Sequence, residues 1–96
     1  MKRSNLIPAA KFCSHHQVEV TFIRRLQEYE LVQVVLIEEE PYLPAEELPE
    51  VEKLMRLHYD LNINMEGLDA VRHLLRRTEA LRREVQSLRN QLDALR

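Results

Sequence analysis

The chain of 96 residues has one cysteine, one glycine, no tryptophan and no run of 18 apolar residues. A single cysteine excludes an internal disulfide and favours the cytoplasm, where thiols stay reduced. The lack of a long apolar run argues against a membrane span. The N-terminus carries basic residues but only a broken apolar patch, which is unlike a secretory signal peptide.

The scarcity of glycine also bears on catalysis. The sequence has no glycine-rich phosphate loop, no serine or cysteine in a nucleophile motif, and no carboxylate pair that its pattern turns inward. The run Glu38–Glu40 is typical of a solvated hairpin tip rather than of a general acid and base. We therefore predict no catalytic residue and no cofactor, and we do not expect an enzyme.

Cys13, His15 and His16 lie close together and raise the alternative of a metal site. Zinc needs about four ligands at workable spacing, and the nearest other candidates, His58 and His73, fall on separate predicted helices. A small buried cysteine followed by two polar residues at a helix end accounts better for the pattern. We therefore predict no metal site.

What the sequence does have is charge, and the charge is segregated. Residues 1–25 carry five Lys or Arg and one Glu, residues 26–70 carry twelve acids and two bases, and residues 71–96 carry seven Arg and three acids. The overall formal charge of −2 therefore hides an acidic middle between two basic ends. Such segregation indicates a charged partner more clearly than the total does.

The apolar pattern predicts a helix, a turn and a second helix in the first third of the chain. Residues 5–16 are predicted to form the first helix. Residues 19–32 repeat apolar side chains at helical spacing and are predicted to form the second. The helical spacing of the apolar residues then ends. Residues 32–38 are β-branched and predict a strand, residues 39–40 a turn, and residues 41–43 a short edge strand that tolerates proline. This order predicts a mainly α-helical winged helix-turn-helix with a short β-hairpin wing.

A third helix is predicted after Pro44, with Pro49 in its first turn because proline deeper in a helix would break it. We expect Asn62 to end this helix in a left-handed conformation and Asn64 to cap the next one. One side of the third helix is predicted to be apolar, lined by Val51, Leu54, Met55, His58 and Leu61.

The last helix, from Met65, carries a heptad repeat. Spacings of three and four residues alternate along a seam that predicts a coiled coil and a homodimer, formed by Val71, Leu74, Thr78, Leu81, Val85, Leu88, Leu92 and Leu95. β-branched residues at the first heptad position favour a parallel pair, but Arg77 and Arg82 would then face each other, so the direction stays open. The chain divides into a winged helix-turn-helix-like domain with a third helix at residues 5–64 and a long dimerising helix at residues 65–96.

The charges allow two classes of partner, DNA and a basic protein surface. Arg24 and Arg25 on the second helix suit DNA, but Glu19, Glu28 and Glu30 on the same stretch would repel phosphates. An acidic, proline-stiffened surface suits a basic helix of a partner protein. Charge and expected exposure together predict the partner-binding residues Glu38, Glu39, Glu40, Tyr42, Glu46 and Glu47. A bare dimerisation module with another partner is a third alternative.

The order of elements resembles the MerR superfamily. The stretch "VEVTFIRRLQEYELV" is similar to the second helix of that family, and it matches the family's recurrent positions at Val20, Ile23, Arg24, Tyr29 and Leu31. The family's basic wing pattern, R-x-x-x-G-Y-R, is replaced here by "EEEPYLP". This departure argues against DNA binding of the MerR type.

A more specific resemblance is to the CbpM-like chaperone modulators, on the stretches "HHQVEVTFIRRLQEYELV" and "EEEPYLPAEELPEVEKLMRLHYDLNIN" and the leucine-rich tail. The resemblance implies a protein that binds the J-domain of a DnaJ/CbpA-type co-chaperone. It further implies inhibition by covering the surface that engages Hsp70. A MerR-like DNA-binding transcriptional regulator is the alternative, and no membrane partner is expected.

Overall fold

Four α-helices and one three-stranded sheet make up residues 5–96, the part of the chain that the computed structural model describes. In chain order the elements are β1 (Leu6–Pro8), α1 (Ala9–His16), α2 (Val20–Glu28), β2 (Val35–Ile37), β3 (Glu40–Pro44), a 3₁₀ turn (Ala45–Glu47), α3 (Leu48–Leu61) and α4 (Met65–Ala94). The prediction of a mainly α-helical winged helix-turn-helix fold with a short β-hairpin wing and a long C-terminal helix is confirmed. The expectation of no signal peptide rests partly on residues 1–4, which lie outside the described residues.

The predicted first helix begins four residues later than expected. Residues Leu6–Pro8 form strand β1, which pairs with β3, and the Asn5 carbonyl accepts a hydrogen bond from the Ala45 backbone N–H at 2.8 Å. Pro8 restricts the residue before it to extended backbone and is itself extended, with φ −57° and ψ 130°. The helix therefore starts at Ala9, after the proline.

Helices α1 and α2 pack through the apolar faces that the spacing predicts. On α1 these are Ala9, Phe12 and Cys13, and on α2 they are Phe22, Ile23 and Leu26. Both helices end in Schellman motifs, in which a left-handed residue lets two backbone N–H groups reach back to the last carbonyls. Gln17 is that residue in α1 (φ 60°) and Glu30 in α2 (φ 58°).

Because of its Schellman motif, α2 ends at Glu28 and not at the predicted residue 32. Leu31 donates its N–H to the Leu26 carbonyl at 2.9 Å. The chain then turns, and Leu31 and Val32 are buried in the core from the loop. Leu31 and Val32 fit the helical spacing, but they pack in the core from the loop that follows the helix.

The sheet has the strand order β1-β3-β2, with both pairs antiparallel. The strand predicted at residues 32–38 is limited to Val35–Ile37, the turn is one residue earlier, at Glu38–Glu39, and β3 is the central strand and not an edge. Proline fits there because Pro41 lies opposite Leu36, at a position where the β2–β3 ladder does not need its N–H. The mistake follows from reading β1 as helix, which leaves β3 with one neighbour.

Helix α3 has Pro49 in its first turn, as predicted, and buries Val51 and Leu54. Leu61, predicted to lie on the same apolar side, is instead 64% exposed. Asn62 ends the helix in a left-handed conformation (φ 58°), which confirms its predicted role. Leu61 lies beside this turn, where the chain already leaves the core.

Helix α4 begins as predicted: the Asn64 side-chain oxygen accepts a hydrogen bond from the Gly67 N–H at 2.8 Å. Its first turn buries Met65 and Leu68 in the common core, whereas every residue from 73 to 96 is exposed. Within residues 5–96, no helix combines the length and the low charge that crossing a membrane requires.

Candidate partner-binding surface

The β2–β3 hairpin displays a concentrated acidic group. Its two-residue turn, Glu38–Glu39, has φ values of 53° and 68°, as a type I′ turn requires. This turn matches the right-handed twist of the strands, and it holds Ile37 opposite Glu40. Glu38, Glu39 and Glu40 are all exposed, and three consecutive carboxylates therefore lie at the tip of the wing.

The other predicted contact residues lie farther along β3. Tyr42 is half-buried in the middle of the strand, whereas Glu46 and Glu47 follow its end in the 3₁₀ turn. Glu46 is exposed, but Glu47 accepts a hydrogen bond from the Gln33 backbone N–H at 3.3 Å and so helps to hold the wing loop. The strand separates the two acidic groups by roughly 15–20 Å at about 3.4 Å per residue.

The acids differ in how far nearby cations offset them. Glu50 lies 3.8 Å from Lys53, and Glu52 lies 3.7 Å from the ring of His16, which is a cation only when protonated. Among the described residues, no cation comes within 4 Å of the carboxylates of Glu38–Glu40 or Glu46. The wing tip therefore carries the charge that a partner would experience most strongly.

The sequence-based prediction missed three apolar residues of the wing. Val35, Leu36 and Ile37 are 38, 59 and 44% exposed, so β2 presents apolar side chains on both faces. A continuous apolar run is more typical of a strand buried on both faces. Their position directly before three consecutive glutamates, near the tip of the predicted hairpin, is the signal that could have identified them as exposed.

The helix-turn-helix, the hairpin and α4 together form a unit that can be compared with known families. A family model described as MerR HTH family regulatory protein matches residues 7–90. The chain belongs to this family. No curated protein and no solved structure matches it.

For a MerR-family chain, the exposed side of α2 decides how well DNA would be held. That side carries Arg24 and Arg25, but also Glu19 and Glu28, so its formal charges cancel. The wing then adds the carboxylates of Glu38–Glu40. Because DNA affinity depends on cations against phosphates, this MerR-family surface is electrostatically unfavourable for DNA.

One hydrogen bond fixes the helix-turn-helix to α4. The Tyr29 hydroxyl, just after α2, donates to Glu66 Oε2 at 2.8 Å in the first turn of α4. This hydrogen bond is the main cause that lowers the pKa of Glu66 and raises the pKa of Tyr29. The pair is exposed, and it connects two elements far apart in sequence.

The residues that raised the metal alternative have other contacts. The buried Cys13 thiol donates to the Glu19 carbonyl at 3.7 Å, and burial raises its pKa, so it is held as a thiol. His16 faces Glu52, and its ring lies 4.4 Å from that of Phe12. In residues 5–96, no three His, Cys, Asp or Glu side chains are grouped as metal ligands would be.

The predicted dimerisation seam lies along one side of α4 and is not covered within the described chain. Val71, near the start of α4, is half-buried, and the other seven members are exposed. Leu81, Val85, Leu88 and Leu92 each expose about half of their surface (52, 48, 53 and 59%). The structure therefore brings the seam together as a continuous apolar stripe on a protruding helix.

Proposed function

We propose that this MerR-family protein is a chaperone modulator that binds the J-domain of a DnaJ/CbpA-type co-chaperone. The observation that supports the proposal best is the unpaired acidic tip of the wing, Glu38–Glu40, in the place where a DNA-binding relative would need cations. The CbpM-like stretches of the sequence supply the identity of the partner. A J-domain engages Hsp70 through a basic helix, and an acidic surface is complementary to such a helix.

Inhibition in this proposal needs no chemistry. The modulator covers the basic helix, and the co-chaperone can then no longer engage Hsp70. Glu38, Glu39, Glu40, Tyr42 and Glu46 supply the contacts, while Glu47 contributes mainly by holding the wing loop through Gln33. Exposed acids steer the encounter, so the association rate should fall as salt screens them.

Titration calorimetry of the protein with a CbpA-type J-domain, at about 50 and 300 mM salt, tests the proposal. We expect saturable binding that weakens at the higher salt concentration. The double variant Glu39→Lys/Glu40→Lys should lose most of the affinity and most of the salt dependence. Its matched control, Glu79→Lys/Asp93→Lys, makes the same change of charge on α4 and should bind normally. No binding of the wild-type protein at either salt would refute the proposal.

We also propose that α4 pairs with the α4 of a second copy through the heptad seam. The supporting observation is the exposure of the stripe from Leu74 to Leu95, which a lone helix leaves in water. A homodimer would present two wings, and therefore two J-domain sites.

Family membership supports a second candidate, a DNA-binding transcriptional regulator of the MerR type. Arg24 and Arg25 are exposed on α2 and would supply the phosphate contacts. Selection from a random-sequence DNA pool at about 150 mM salt tests this candidate. A selected sequence whose binding is lost in Arg24→Ala/Arg25→Ala would favour it over the J-domain proposal.

A further inference from the structure

The two faces of the sheet differ in what they contact. Residues in register on neighbouring strands share a face. Ile7 lies opposite Leu43, and both pack in the core. The other face consists of the residues that alternate with these, and we name it the outer sheet face: Leu6, Pro8, Val35, Ile37, Glu40, Tyr42 and Pro44.

Apart from Glu40 the outer sheet face is apolar, and it is open to solvent at Pro8, Val35 and Ile37, half-buried at Leu6 and Tyr42, and buried at Pro44. Pro8, Tyr42 and Val35 form a row across all three strands, because Tyr42 is in register with both of the others. Val35 and Ile37 are 38 and 44% exposed, and neither belongs to the core cluster. A stable sheet face of this composition is unusual in water unless something covers it.

The charges at the hairpin end of the outer sheet face are acidic, whereas Lys11 lines a cavity together with Leu6 and Pro8 at the other end. The three strands, Leu6–Pro8, Val35–Ile37 and Glu40–Pro44, contain no Lys or Arg, and their only charged residue is Glu40. Glu38 and Glu39 continue the acidic edge at the hairpin. An apolar face with an acidic edge is complementary to a segment that is apolar on one side and basic at its border.

The size of the face matches one helix. Three strands at about 4.8 Å spacing give a row about 10 Å wide, and an α-helix with its side chains is about 10–12 Å across. Addition of a strand fits less well. At the free edge of β2, the inferred ladder leaves only Leu36 with its backbone N–H and C=O pointing outward.

We propose that the outer sheet face holds the apolar side of a basic amphipathic helix, with the basic border of that helix against Glu38–Glu40. In the protein as proposed above, this helix is the basic helix of the J-domain, and to that extent the inference rests on the proposed function. The apolar row of Pro8, Tyr42 and Val35 supplies the contact that holds the complex, and the acids supply attraction and orientation.

The test compares two sides of one strand. Val35→Thr/Ile37→Thr makes the outer sheet face polar while it keeps β-branched residues that suit a strand. Leu36→Thr makes the same kind of change on the opposite face and is the matched control. By calorimetry with the J-domain, we expect the double variant to weaken binding by about tenfold or more and the control by less than about twofold.

Salt dependence separates the apolar contact from the charged one. The weakened binding of Val35→Thr/Ile37→Thr should keep the salt dependence of the wild type, because Glu38–Glu40 are unchanged. Melting temperatures of both variants check that the hairpin is intact. Equal binding by wild type and the double variant would overturn the inference and leave the proposed function standing.

A synthetic helical peptide with leucine on one side and lysine at its border provides a second probe. If the J-domain does not bind but this peptide does, and Val35→Thr/Ile37→Thr abolishes its binding, then the proposed function fails and the inference holds. If neither probe binds, both fail. A change in the oligomeric state of the double variant during sedimentation would assign the face to a second copy and overturn the inference.

Discussion

Five residues have left-handed backbone conformations in this structure, at helix ends and in the hairpin: Gln17, Glu30, Glu38, Glu39 and Asn62. Such a conformation costs a residue with a Cβ about 1–2 kcal/mol, and asparagine less. Glycine would avoid the cost, yet the sole glycine, Gly67, lies inside α4. The two adjacent left-handed glutamates at the wing tip therefore lower stability at the place where the proposed J-domain binding needs their charge.

The wing tip allows stability and binding to be separated. Replacing Glu38→Asn/Glu39→Gly installs the residues that a type I′ turn prefers. We expect the free energy of unfolding to rise by about 1–3 kcal/mol, measured by urea denaturation. J-domain affinity should fall, because two carboxylates are gone.

A better-folded variant that binds worse cannot be explained by misfolding. The control, Glu46→Gln, removes one exposed carboxylate without a change of turn, and its stability should match that of the wild type. Unchanged affinity in Glu38→Asn/Glu39→Gly would mean that these two acids do not face the partner.

The bond from Tyr29 to Glu66 predicts a pH effect. A carboxyl whose pKa is lowered by folding contributes stability above its unfolded pKa, and this contribution is lost as pH falls through its folded pKa. Tyr29→Phe should therefore lower the melting temperature near neutral pH, and the deficit should shrink below about pH 4. Thermal melts across this range measure it. A deficit that is constant from pH 7 to 3 would assign it to packing of the ring.

At the scale of elements, the start of α4 is closely packed around Gly67. A Cβ on Gly67 would lie 2.6 Å from Ile63 Cγ2 and 3.2 Å from Asn64 Oδ1. The methyl is attached to a stiff β-branched side chain and cannot move away cheaply. The absence of a side chain at Gly67 thus lets Ile63 pack over the first turn while Asn64 caps it.

This geometry predicts that Gly67→Ala lowers the free energy of unfolding by about 1–2 kcal/mol, although alanine is the better helix former. Urea denaturation measures the change. In an Ile63→Ala background the clash is absent, and the same substitution should be neutral or stabilising by up to about 1 kcal/mol. Equal losses in both backgrounds would contradict the close contact as the cause.

Elements with a local signal could be predicted from the sequence. Asn62 and Asn64 each act through neighbours a few positions away, and the structure has the two caps as predicted. Strand β1 could not be predicted, because its three residues form a strand only by pairing with β3, far along the chain. Because the sequence does not reveal the pairing of β1 with β3, it predicts β3 to be an edge strand, although β3 is the central one.

The candidate site was partly predictable for the same reason. Exposed acids such as Glu38–Glu40 are visible in the sequence, because consecutive charges are seldom buried. The outer sheet face depends on register, which assigns Val35 and Ile37 to one side and Leu36 to the other. A run of three apolar residues contains no alternation from which that assignment could be read.

At the scale of the whole molecule, the described chain has two parts: a head, formed by residues 5–70, and the rest of α4, which protrudes from it. The core ends in the first turn of α4, at Leu68, and residues 73–96, which extend from it, are all exposed. A helix without tertiary contacts has little stability of its own in water. Pairing of the seam would therefore stabilise α4 as well as join two heads.

Charged residues in the seam should separate the copies. We expect Leu81→Glu/Leu88→Glu to convert the proposed dimer to a monomer in sedimentation experiments, since each change would place a carboxylate in the apolar interface. Circular dichroism should show a loss of helix, because the released end of α4 frays. The matched control, Ala80→Glu/Ser87→Glu, adds the same charge one residue away, outside the seam, and should remain dimeric. Dimers in both variants would place the interface elsewhere, and monomers in both would assign the effect to charge and not to the seam.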